Sequence, residues 1–249
     1  MNIEKLKKQW LLDESATFEG WDFSYLKNRS ESDSTHWDYD TIVRRYLKKD
    51  DRLLDMGTGG GEYLLSLNHE PSFTFATEGY LPNFELCQKR LEGIQVRFVH
   101  QDANLPFDDG MFDIIINRHE SFDMSEVHRL LKPKGLFITQ QVGGDNNKEL
   151  IQALVSNPDT SLSNHTLMTQ VDLVTRNVFK VVFQGEDFTQ TRYFDVGAIV
   201  YFAKIISWEF PGFSVETCFD RLCKLQFKLL REGYIGVTEH RFIIVAQKN

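Results

Sequence analysis

The chain has 249 residues and a formal charge of −8 at pH 7, from 36 Asp and Glu against 28 Lys and Arg. That balance disfavours nucleic acid as a partner, since affinity for phosphate backbones rests on clustered Lys and Arg. With 41% hydrophobic and 26% charged residues the composition is that of a folded globular chain rather than a disordered one. The longest apolar run, residues 196–203, falls far short of the roughly 20 residues a spanning helix needs, so a soluble, cytoplasmic protein with no membrane partner is expected. Cys87, Cys218 and Cys223 form no C-x-x-C pair and the histidines share no ligand spacing, so free thiols and no metal site are expected.

Residues 1–52 read as short helices, one of them capped by Asp38 and running to Lys49. A strand over 52–55 then enters Gly57-Thr-Gly-Gly-Gly61, and helix formers follow from Tyr63. Strand 73–77 precedes a helix opened by Pro82; strand 96–99 follows, and then the fully apolar strand 112–117. A helix over 124–131 ends before Lys-Pro-Lys-Gly135, and 136–141 is the next strand. Strands alternating with helices predict a parallel sheet covered on both faces. Beyond it, helices are expected over 147–156, 171–178, 196–207 and 215–231, with strands at 181–183 and 241–246.

A strand that carries an acidic residue into closely spaced glycines, followed by a helix, makes a ligand site at the sheet edge. Here it is Asp55-Met-Gly57-Thr58-Gly59. The glycines let the backbone turn and approach a ligand, and the following N–H groups suit an anion. The dinucleotide pattern would place its third glycine at 62, where Glu62 stands, and no Gly-Lys-Ser/Thr follows. A nicotinamide-linked oxidoreductase and a P-loop enzyme are thereby disfavoured.

From residue 51 to about 141 the sequence resembles the class I S-adenosylmethionine-dependent methyltransferases. LLDMGTGGGEYL is similar to the first motif; Glu78 and Gly79 end the second strand, 21 residues beyond Gly57; Asp102-Ala103 precede Leu-Pro-Phe; Asn117 ends the fourth strand. The resemblance implies S-adenosylmethionine as cofactor, with Glu78 on the ribose hydroxyls, Asp102 on the adenine amino group, Ala103 at the ring, Asn117 helping to hold the methionine portion, and Asp55, Gly57, Thr58, Gly59 and Gly79 also in the cofactor site. It also implies an α/β, Rossmann-like doubly wound fold: a mostly parallel seven-stranded sheet with an antiparallel last strand, an amino-terminal helical cap and a carboxy-terminal helical insertion. Residues 1–249 then form a single methyltransferase domain, with the cap at 1–50, the cofactor-binding core at 51–145, and sheet completion and acceptor-side helices at 146–249.

The flanks carry the acceptor side. Of 32 aromatic residues, 22 lie outside 53–159. Trp21, Trp37 and Tyr39 either form a lid over the acceptor or pack the cap onto the sheet. His119 is the candidate general base, with Glu120 orienting it; a solvated pair is the plainer reading. Gly-Trp-Asp-Phe-Ser and Trp-x-x-Pro-Gly-Phe resemble a bacterial methyltransferase-domain group of undefined acceptor near the quinone-biosynthesis type. The sequence is also similar to the methyl-transfer half of a ribosomal-RNA guanine methyltransferase, but residues 1–52 hold no Cys and only His36 for that enzyme's zinc module. The expectation is methyl transfer to a small or medium apolar or aromatic acceptor; the alternatives are an RNA methyltransferase or a cofactor-binding regulator without catalysis.

Overall fold

The computed structural model describes residues 2–158 and 161–249. Asn2 caps α1 (Ile3–Glu14) by accepting from Lys5 N–H, and a 3-10 turn (Ser24–Leu26) leads into a short strand, β1 (Ser30–Ser32). Asp38 caps α2 (Tyr39–Tyr46) as its sequence position predicts, with Thr41 N–H donating to its carboxylate at 2.7 Å. The core alternates from there: β2 (Leu53–Met56), α3 (Glu62–Ser66), β3 (Thr74–Glu78), α4 (Leu81–Arg90), β4 (Gln95–Phe98), β5 (Phe112–Arg118), α5 (Met124–Leu130) and β6 (Leu131–Val142). The last part adds α6 (Lys148–Leu154), α7 (Leu167–Arg176), β7 (Phe179–Tyr193), α8 (Val196–Ile205), α9 (Phe219–Glu232) and β8 (Ile235–Lys248).

The strands form one sheet in the order β1-β7-β8-β6-β5-β2-β3-β4. β2 to β6 are mutually parallel and β8 runs antiparallel between β6 and β7. The expected doubly wound architecture with its antiparallel last strand is borne out, and β1, pairing Ser30 with Tyr193, adds an eighth strand. Side chains alternate across the sheet. Leu54, Ile115 and Phe137 pack with Val127 of α5 and Val174 of α7, while Leu53, Ile114 and Ile116 pack with Val43 of α2, Leu64 of α3 and Cys87 of α4. A third cluster joins Trp10 of α1 to Leu150 of α6, Tyr201 of α8 and Leu222 of α9.

Three elements depart from expectation. β7 runs 15 residues instead of three, because its polar Gln184 to Arg192 stretch hides the strand pattern while pairing continuously with β8. β8 starts six residues earlier than the apolar run suggests. Lys-Pro-Lys-Gly lies inside β6 as an irregularity, with Lys134 in the left-handed region (φ +66°) and Gly135 too close to the Lys132 and Asp113 carbonyls for a Cβ.

A polar clasp holds the amino-terminal segment down. Arg29 donates to Asp195 at 2.9 and 2.5 Å and to Asp13 at 2.9 Å; Tyr25 O–H also donates to Asp13. Asp195 is itself the cap of α8, accepting from Ala198 N–H. Among the described residues no helix is long and apolar enough to cross a membrane.

Candidate functional site

β2 delivers Asp55 to the carboxyl edge of the sheet and the chain then turns through Gly57 and Gly59, both left-handed (φ +71° and +62°). Gly57 is fixed by contact as well as by torsion: a Cβ there would lie 2.7 Å from Glu120 Cβ and closer still to its Cγ. Gly59 is open, with only Trp21 Cβ at 3.8 Å from a built Cβ. The loop is tied to the next strand, since Thr58 N–H donates to Thr77 O and Gly59 N–H to Glu78 Oε2 at 2.7 Å. Glu78 also accepts from Tyr80 N–H at 2.8 Å, and Gly79 N–H favours its charged form. A carboxylate has about four acceptor positions, so Glu78 keeps room for two further donors. Glu62 pairs with Arg90 of α4 and its carboxylate lies against Gly60 of the loop.

Four acidic groups converge on this edge from adjacent strand ends: Asp55 near the end of β2, Glu78 at the end of β3, Asp102 after β4 and Glu120 after β5. Asp102 accepts from Ser121 Oγ at 2.6 Å, and Ala103 beside it is half-buried. Burial pushes Asp55 up to about 6, against the pull of Thr58 and Arg118, and Glu78 adds to the rise. Glu78 is raised by burial and by Glu120, although its backbone donors oppose the shift. Glu120 is raised by the protein around its carboxylate and by Asp102. Mutual repulsion of this kind suits a cationic ligand, which relieves it.

The acceptor-side candidates separate. Trp21 stands over the glycine loop, 44% exposed, and its ring stacks on Trp208 at 6.2 Å and 13°, joining the amino-terminal cap to the loop after α8. Trp37 and Tyr39 are buried beneath the site: the Trp37 indole N–H donates to Gln140 Oε1 at 2.8 Å and the Tyr39 O–H to the Asn117 carbonyl at 3.3 Å. Arg118 covers the Tyr39 and Tyr63 rings at 5.8 and 5.0 Å. Asn117 is fully buried and its side-chain oxygen accepts from Thr139 at 2.9 Å and Gln141 at 2.6 Å, so it braces β5 against β6.

Glu120 does not orient His119. Its carboxylate accepts from Ser121 N–H and Oγ, whereas His119 Nε2 faces Gln140 Nε2 at 3.4 Å. Burial, and then Arg241 and Arg118, hold the imidazole well below its usual pKa, so it is neutral. Sequence reasoning missed Ser121, Gln140 and Gln141. The two glutamines carry the one visible signal, a polar pair closing the otherwise apolar strand Leu136 to Thr139. Among the described residues no group of three or more His, Cys, Asp or Glu is placed to hold a metal.

Residues 54–139 match the family model described as a methyltransferase domain. A phthiotriol/phenolphthiotriol dimycocerosates methyltransferase of Mycobacterium tuberculosis is 30% identical over 171 residues, 57% of this chain and 63% of that protein. The chain therefore spans somewhat less than two thirds of that relative's length. A S-adenosylmethionine-dependent methyltransferase from Aquifex aeolicus superposes with TM-score 0.53 at 14% identity, covering 100% of both chains. The [4+2]-cyclase SpnF shares the fold at TM-score 0.54 and 15% identity, over 84% of this chain and 80% of that one. Residues 54–139 thus carry a methyltransferase domain, and the sheet order and glycine loop are set in the fold of S-adenosylmethionine-dependent methyltransferases.

Proposed function

We propose that the chain transfers a methyl group from S-adenosylmethionine to a small or medium acceptor with an apolar or aromatic body. One observation carries the reading: Asp55, Glu78, Asp102 and Glu120 meet at one sheet edge beside a glycine cradle in which Gly59 is open to a ligand. When bound, the cofactor supplies an electrophilic methyl on a sulfonium. Glu78, with two acceptor positions free, takes the two ribose hydroxyls. Asp102 accepts from the adenine amino group and Ala103 N–H meets the ring. Gly57, Thr58 and Gly59 leave the backbone close to the methionine portion. Asp55 and Glu120 balance the positive sulfur, and Asn117 supports the site by fixing β5 against β6.

The chain's own contribution is positioning, which in favourable cases removes roughly 7–11 kcal/mol of a displacement barrier. A neutral His119 facing two arginines stores a proton poorly, so proton storage is not the main device. The stacked Trp21 and Trp208 offer an exposed flat apolar face beside the glycine loop and favour a flat or apolar acceptor. The acceptor in the mycobacterial relative's name, a dimycocerosate, agrees with an apolar body. Incubation with methyl-labelled S-adenosylmethionine and a fractionated lipid and metabolite extract tests the reading. Label entering an organic-soluble product with equal release of S-adenosylhomocysteine supports it. Tight cofactor binding without turnover in any fraction supports the second reading, a binding or rearrangement role on the same fold, which the weakly basic His119 favours.

A further inference from the structure

His119 has three features that a general-base role leaves unused. Its backbone is left-handed (φ +63°), a conformation uncommon outside glycine that recurs at ligand sites. Its Nε2 faces the side-chain nitrogen of Gln140 at 3.4 Å. Its Nδ1 is buried and has no hydrogen-bond partner among the described residues. The Gln140 amide is not free to turn over, because its oxygen already accepts from the Trp37 indole, which is a donor only. The amide N–H therefore points at His119, and a ring nitrogen that accepts an N–H carries a lone pair. A neutral imidazole has one ring proton, which must then sit on the other nitrogen.

We propose that Trp37 and Gln140 lock His119 as the Nδ1–H tautomer, and that this unpartnered donor binds an oxygen atom of the methyl acceptor. The tautomer stands by itself; the ligand rests on the methyl-transfer reading above. Buried donors are nearly always satisfied, so an unpartnered one on the residue that follows β5 at the carboxyl edge of the sheet calls for an incoming acceptor atom. Arg118 and Arg241 supply a positive field that opposes an imidazolium and favours an oxyanion. The acceptor class is accordingly a phenol or enol. Its O–H proton leaves to solvent on binding. An electron pair of the resulting anion then forms the new bond to the methyl carbon, while the C–S bonding pair stays on sulfur. His119 holds the oxygen; Trp37 and Gln140 are positioning residues.

The test is long-range proton–nitrogen NMR on the histidine-labelled protein at neutral pH, free and with S-adenosylhomocysteine, with His119→Gln assigning the signal. The wild type should show a protonated Nδ1 and a bare Nε2. Gln140→Glu, which replaces the donor by an acceptor, should move the proton to Nε2. Phenol should shift the Nδ1–H resonance where toluene does not, and Gln140→Glu should bind phenol about tenfold more weakly. An Nε2–H tautomer or an imidazolium in the wild type, an unchanged tautomer in Gln140→Glu, or an equal response to phenol and toluene overturns the proposal. Failure of S-adenosylhomocysteine to bind counts against the methyl-transfer reading alone, because the tautomer is also read in the free protein.

Discussion

Replacing Gly57 by alanine separates the two reasons for glycine in the cofactor loop. The left-handed backbone at φ +71° costs an L residue about 1–2 kcal/mol. The new Cβ also meets Glu120 Cβ at 2.7 Å, and pushing that side chain aside adds about 1–2 kcal/mol of overpacking. At roughly 2–4 °C per kcal/mol for a chain of this size, the summed cost of about 2–4 kcal/mol means that Gly57→Ala should lower the melting temperature by about 4–16 °C. Gly59→Ala is the matched control: its φ is +62°, but a built Cβ meets only Trp21 Cβ at ordinary contact distance, so only the backbone cost of about 1–2 kcal/mol applies. The crowding half is isolated by a double-mutant cycle with Glu120→Gly, which removes the three offending side-chain atoms and should return about 1–2 kcal/mol of coupling. Calorimetric unfolding of the four variants measures it. Equal losses at Gly57 and Gly59, or strict additivity with Glu120→Gly, would refute the reasoning.

Other outcomes follow from the same geometry. Asp55 titrates near 6 in the folded chain, above its unfolded value, so the folded state binds the extra proton and stability falls as pH rises from about 4 to about 6. Asp55→Asn should flatten that decline in pH-dependent denaturant titrations and weaken binding of S-adenosylmethionine more than of the neutral-sulfur product; a parallel decline in both proteins contradicts the assignment. Trp21→Ala should abolish the near-ultraviolet circular dichroism of the Trp21–Trp208 stack and weaken cofactor binding about five- to tenfold. Arg29→Met leaves the fully buried Asp13 with only the Tyr25 hydroxyl, and should cost about 3–5 kcal/mol, whereas Arg192→Met breaks a more exposed pair with Asp33 and should cost far less.

The parallel core was legible because its signals are local. Asp38 caps α2, Pro82 opens α4, and the apolar run from Phe112 declares a strand buried on both faces. The candidate cofactor residues were placed for a related reason: Gly57 and Glu78 stand at strand ends and Asp102 in the short loop after β4, so chain spacing constrains their spatial spacing. What stayed hidden depends on long-range pairing. β7 is polar for most of its length, and only its ladder with β8 makes it a strand. Asn117 was assigned to the methionine portion from its strand-end position, but Thr139 and Gln141 arrive from β6 to engage its side chain. For Trp37 and Tyr39 composition left a lid and packing of the cap both open; their indole and phenol hydrogen bonds run inward to Gln140 and Asn117, as packing requires. The His119–Glu120 pairing failed because consecutive residues leaving a strand diverge, one toward Gln140 and the other onto Gly57.

The central claim, that the four strand-end carboxylates and the glycine loop form a site for S-adenosylmethionine, is tested most directly by isothermal titration of the cofactor into the wild type and into the Glu78→Ala, Asp102→Ala double variant. The account predicts one-site binding by the wild type and a loss of at least about 100-fold in the double variant, from two or three hydrogen bonds to charged acceptors. No binding by the wild type, or undiminished binding by a double variant that remains folded, would contradict it.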